Sequence, residues 1–120
     1  MKIPFEKVIE TIAGLGVPGF VLLITMAICG WSDAAALTST LTAVGGPPDM
    51  LGDTPLLGVL TLISWAISEY GFEKIAVAVA KELKQKGRSR EDVLSEIQGY
   101  PIARGMKLKI REAVRDAWHQ

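Results

Sequence analysis

Residues 11–32 read TIAGLGVPGFVLLITMAICGWS, a stretch with no charged side chain between Glu10 and Asp33. A second uncharged stretch, residues 54–68, reads TPLLGVLTLISWAIS and stops at Glu69. From Thr11 to Ser68 the only charges are Asp33, Asp49 and Asp53. A helix crossing a bilayer core of about 30 Å needs about 20 mostly apolar residues. The first stretch has that length, and the second has it if its helix runs on through Glu69 toward Phe72. The sequence therefore predicts an all-α fold: a transmembrane helical hairpin over residues 11–72, with residues 31–53 as its connection.

Charge sets the orientation. Of the 13 Lys and Arg residues, Lys2 and Lys7 precede the apolar half and the rest follow it, from Lys74 to Arg115. Positive residues stay on the cytoplasmic side of a membrane. Both termini are thus expected to be cytoplasmic, with the 31–53 connection outside or embedded. The lead-in, residues 1–10, reads as an interfacial segment. Its Ile3, Phe5, Val8 and Ile9 face the membrane surface, while Lys2, Glu6, Lys7 and Glu10 stay wet. Two acids in that stretch argue against a cleavable signal.

Inside the first stretch, Gly14, Gly16, Pro18 and Gly19 would break a helix in water and are tolerated in a membrane. Small residues let helix backbones approach. Gly14, Gly16 and Gly19 are therefore expected to pack on the second helix near Gly58, with Pro18 as a hinge. Trp31 stands where a belt aromatic would. Asp33 caps a short helix over 34–44, ended by Gly45-Gly46-Pro47-Pro48. On it, Thr38 and Thr42 could line a wet path, or bond back to their own helix carbonyls.

Thr54-Pro55 reads as N-cap and first helical residue of the second long helix, which the sequence extends to about Lys86. Trp65, Tyr70 and Phe72 mark its cytoplasmic interface, and Glu69 is its charge nearest the bilayer, facing headgroups, a partner or a pore. Gly87 ends the helix. Ser89 and Asp92 then form a capping box for a helix whose apolar face is Val93, Leu94 and Ile97. Gly99-Tyr100-Pro101 is a turn. The last helix ends at Trp118, with Ile102, Met106, Leu108, Ile110, Val114 and Trp118 as apolar positions and Lys107, Lys109 and Arg111 as a basic surface. Residues 73–120 thus read as a cytoplasmic helical tail. The part from 88 onward is too small to bury a strong core alone.

Chemistry-bearing constellations are scarce. Cys29 is the only cysteine and His119 the only histidine, which excludes an intrachain disulfide and a Cys/His metal site. Gly14, Gly16 and Gly19 match G-x-G-x-x-G in spacing, but no βαβ pattern surrounds them. No catalytic set, cofactor or metal is expected, and the chain does not read as an enzyme.

The stretches Ala13-Gly14-Leu15-Gly16-Val17-Pro18-Gly19, Gly30-Trp31-Ser32-Asp33-Ala34-Ala35-Ala36-Leu37, Gly45-Gly46-Pro47 and Met50-Leu51-Gly52 resemble the Gly/Ala-rich hairpins of small bacterial two-helix membrane proteins from toxin and anti-phage defence systems. The resemblance covers residues 11–68 and implies a homo-oligomeric, channel- or pore-like effector in the lipid bilayer of a bacterial inner membrane. The alternative is a membrane anchor or adaptor whose residues 88–120 bind a cytoplasmic protein or nucleotide ligand. A third reading makes the apolar half a buried core, for which 120 residues supply too little cover.

Overall fold

The computed structural model describes residues 3–29, 50–51, 54–100 and 104–119. Among these the fold is all-α, with six helices: α1 (Phe5–Gly14), α2 (Val17–Cys29), α3 (Leu56–Tyr70), α4 (Phe72–Gln85), α5 (Arg90–Gln98) and α6 (Arg104–His119). Two two-residue strands, Met50–Leu51 (β1) and Thr54–Pro55 (β2), make a minimal antiparallel ladder before α3. The radius of gyration, 13.0 Å, is close to the roughly 13.6 Å of a packed domain of this length.

α2 is the centre of the bundle. A helix that is apolar all round must be enclosed, by protein or by lipid. Here protein encloses it: α1, α3, α4, α5 and α6 all contact α2. Every large side chain from Val17 to Ile24 that lines it is out of solvent: Val17, Phe20, Val21, Leu22, Leu23 and Ile24. Thr25 is the one buried polar residue among those described, and its hydroxyl donates 2.8 Å back to the Val21 carbonyl. Only at the α2 end do Ala27 and Ile28 emerge, Ile28 at 39% exposure.

The expectation that 120 residues supply too little cover is therefore corrected. The cover is more than the tail alone. α1 buries Val8, Ile9, Ile12 and Ala13, and α4 buries Ile75, Ala76, Val79, Ala80 and Leu83. Both are amphipathic stripes at helical spacing. α3 is not apolar all round either. It buries Val59, Leu60, Ile63 and Ala66, and leaves Gly58, Thr61, Ser68 and Glu69 exposed.

Two glycines redraw the expected helices. The chain turns through 117° between α1 and α2. Gly16 makes that turn at φ 75°, a conformation other residues adopt only at a cost. Its N–H closes α1 on the Ala13 carbonyl, and its own carbonyl opens α2 by accepting from Gly19 and Phe20. Pro18 is therefore in the first turn of α2, where its missing N–H leaves no gap; the hinge is Gly16. Gly71, at φ 90°, splits the long helix expected from Pro55 to Lys86 into α3 and α4. Tyr70-Gly71 is a C-cap signal that the apolar continuation through Ile75 masked.

Among the described residues no single helix is long and apolar enough to cross a membrane. α2 has 13 residues and α3 has 15, about 20 and 22 Å at 1.5 Å per residue. The α1–α2 pair has the length and composition of a span only when taken together across its bend.

The expected capping box is present: the Asp92 N–H donates to Ser89 Oγ at 3.1 Å, and the Ser89 N–H donates to Asp92 Oδ2 at 3.3 Å. At the end of α4 the Arg88 and Gly87 N–H groups reach the Leu83 and Lys84 carbonyls, the paired bonds of a Schellman closure. α6 buries Ile110, Val114 and Ala117. Leu108, expected on the apolar face, is 57% exposed because it falls off the 3.6-residue phase of the others.

Candidate functional site

Two places in the bundle combine unusual side chains. The first is where α6 closes over α2. The Trp118 ring stacks on Phe20 with centroids 5.4 Å apart. Lys84 of α4 also contacts it: its ammonium donates 2.9 Å to the Trp118 carbonyl and lies 5.9 Å from the ring centroid. A cation at the last carbonyls of a helix also suits the helix dipole. The indole N–H of Trp118 and Nε of Arg111 are buried without an acceptor among the described residues, and both belong to α6. A buried donor left unpaired costs about 1–3 kcal/mol.

The second place is the corner where α1, α3 and α4 meet. Tyr70, the last residue of α3, packs edge-on against Phe5 at 5.1 Å and against Trp65 at 5.9 Å. Its hydroxyl donates 2.9 Å to the Ile3 carbonyl, tying the start of the chain to the α3–α4 joint. The Lys74 ammonium lies over both rings, 5.1 Å from Phe5 and 5.9 Å from Tyr70, a cation–π arrangement. A groove of about 720 Å³ opens beside this corner, between α4 and α6, on a floor of small residues that includes Ala76, Ala113 and Ala117. A smaller groove of about 280 Å³ lies on the other side, lined by Ile3, Pro4, Trp65, Glu69 and Tyr70.

At the end of α5, Tyr100 donates 2.5 Å to Glu96, which also faces Arg88 at 3.6 Å. Burial, and then the hydrogen bond to Glu96, push the Tyr100 phenol well above its ordinary value. This cluster ties the α4–α5 joint to the α5 end.

The residues singled out from the sequence are scattered. Gly19 makes a close helix approach, but to α1: a Cβ there would press on the Ile12 carbonyl and sit 2.8 Å from Leu15 Cβ. Gly14 and Gly58 have nothing within 4 Å of such a Cβ, so within the chain the three glycines do not pack together on α3. Glu69 is exposed in the smaller groove. Lys109 is exposed on α6. Lys107 is half-buried and donates 3.0 Å to the Gln98 carbonyl, and Arg111 is half-buried with its unpaired Nε, so these two are not simple surface cations. Thr38 and Thr42, the 34–44 helix and Trp31 lie outside the described residues. Among the described residues no three His, Cys, Asp or Glu side chains gather as a metal site. Sequence reasoning missed the Phe5–Tyr70–Lys74 assembly, because it joins residues far apart in the chain and depends on the Gly71 break.

Comparison with known proteins returns no match: no family model, no curated protein and no solved structure resembles the chain significantly.

Proposed function

We propose that the protein works at a membrane, as a helical bundle that carries an apolar helix, α2, for entry into the lipid phase. The observation that carries this reading is the composition of α2. It presents apolar side chains on every face, and its one buried hydroxyl is already bonded to its own backbone. That arrangement suits hydrocarbon as well as a protein core. α2 and α3, at about 20 and 22 Å, are shorter than the roughly 30 Å hydrocarbon layer. They suit a hairpin that enters one leaflet and returns, and this keeps both chain ends on the same side, as the Lys and Arg distribution asks. The cover helices α1, α4, α5 and α6, with their charged outer faces, would remain at the surface.

The test is flotation of the full chain with liposomes, followed by alkaline carbonate extraction and a spectrum of tryptophan emission. Entry of α2 separates Phe20 from Trp118 and changes the Trp118 emission while the protein resists extraction. Protein that stays in the aqueous fraction with unaltered emission overturns the reading. The channel form of the proposal needs copies to associate. Gly14 and Gly58 favour it, since both stand on exposed helix faces with open space above them. A defined ring-sized mass in detergent, with ion flux in liposomes, is the expected result for that form; a monomer without flux removes it.

A further inference from the structure

The aromatic corner fits a lipid headgroup layer more closely than it fits a packed interior. Four of the seven described aromatic residues meet there: Phe5, Trp65, Tyr70 and Phe72. All four are half-buried. Rings with one apolar and one wet end gather at the level of lipid headgroups.

The charges narrow the partner. Lys74 is exposed over the Phe5 and Tyr70 rings and makes no ion pair among the described residues. Its ammonium is free to bond a phosphate, a charge-assisted contact. Glu69 is exposed in the adjoining groove, beside Trp65 and Tyr70. It offers a carboxylate to an ammonium. Glu73, also exposed, lies next to Lys74 in the larger groove. The larger groove also carries Lys81, Asp116 and His119, so two lysines stand among three acids, a poor match for an anionic lipid or for nucleic acid, which both need a cationic field. The mix matches a headgroup that carries its own phosphate and its own ammonium. We propose that this corner is the surface by which the protein seats on a bilayer of zwitterionic phospholipid, with Lys74 meeting the phosphate and Glu69 the ammonium. The proposal rests on the membrane reading above and adds to it the contacting surface and the lipid class.

The experiment uses the full chain with Trp31→Phe and Trp118→Phe, so that Trp65 is the only reporter. Circular dichroism confirms the fold, since Trp118→Phe keeps an aromatic ring against Phe20. The protein is mixed with vesicles of phosphatidylethanolamine and phosphatidylcholine, and separately with phosphatidylglycerol vesicles. The expected result is a blue shift of Trp65 on the zwitterionic vesicles and quenching by phosphatidylcholine brominated near the headgroup. Lys74→Glu weakens that binding by about tenfold, the effect of losing one charge-assisted bond. Arg104→Glu, at the exposed start of α6, leaves it unchanged. Flotation with an unresponsive Trp65 overturns the assignment of the corner and leaves the membrane reading standing. A strong preference for phosphatidylglycerol, abolished by salt, overturns the headgroup class. No flotation with any vesicle overturns the membrane reading, and this inference with it.

Discussion

Gly14 and Gly19 are five residues apart and sit on either side of the same turn, yet alanine should act on them with opposite sign. At Gly19 an added Cβ meets the Ile12 carbonyl oxygen and approaches Leu15 Cβ to 2.8 Å. A backbone carbonyl cannot swing aside as a side-chain end can. The α1–α2 turn must open, and α2 is the element that every other helix contacts. Overpacking of this kind costs about 1–3 kcal/mol, against at most about 1 kcal/mol regained from helix propensity. The backbone clash puts Gly19→Ala toward the upper part of that range, a net loss of about 2 kcal/mol. At Gly14 nothing lies within 4 Å of the new Cβ, and the residue ends α1. Gly14→Ala should gain a few tenths of a kcal/mol, up to about 1. Urea unfolding followed by circular dichroism measures both, with the midpoint moving down for one and up for the other at constant slope. If Gly19→Ala is neutral or stabilising, the close approach of α1 and α2 is wrong. If both variants lose equal stability, the placement of Gly14 in open space is wrong.

Three further perturbations test other joints. Gly71→Val forces a β-branched residue to φ 90° and should cost about 1–3 kcal/mol, while Gly71→Asn should cost clearly less; thermal midpoints rank the two. Trp118→Ala removes the stack on Phe20 and opens space against α2. For a half-buried ring the loss should be about 2–3 kcal/mol, below the full range for buried aromatics, with Trp118→Phe recovering most of it in the same urea series. Tyr100 holds its proton more tightly folded than unfolded. Its contribution is therefore complete below the unfolded value of 10.0 and is lost as pH rises above it. An alkaline unfolding titration should show that loss, and Tyr100→Phe should abolish it while lowering stability at neutral pH by about 1 kcal/mol for the bond to Glu96.

How much was legible depended on where the information lies. Helical content, the Ser89–Asp92 box and the stop at Gly87 are local signals, and the structure carries each of them. The two broken helices are local as well, yet hydropathy outweighed them. Gly16 and Gly71 each interrupt a long apolar pattern, and a reading tuned to lipid tolerates glycine inside a span. The Tyr70 bond to Ile3 spans 67 positions, and no periodicity announces it. Leu108 shows the opposite error, in which counting apolar residues replaced checking their phase.

The larger difference concerns what surrounds α2. An apolar helix states only that it must be kept from water. Whether protein suffices is decided by how many amphipathic faces the rest of the chain can bring to it. α1 brings Val8, Ile9, Ile12 and Ala13, and α6 brings Ile110, Val114 and Trp118 over Phe20. Judged alone, each of these stripes looks like a membrane-surface lead-in or a weak tail, because its partner is not its neighbour in sequence. Together they close around α2 and leave Ala27 and Ile28 at its end in the open. The same cover includes two α6 donors, Trp118 Nε1 and Arg111 Nε, that have no acceptor among the described residues, set against the Phe20 stack and the Lys84 bond that hold α6 in place. Under the proposed membrane entry, enclosure and insertion would be two states of one apolar helix, and α6, stacked through Trp118 on Phe20, is a cover that would have to part.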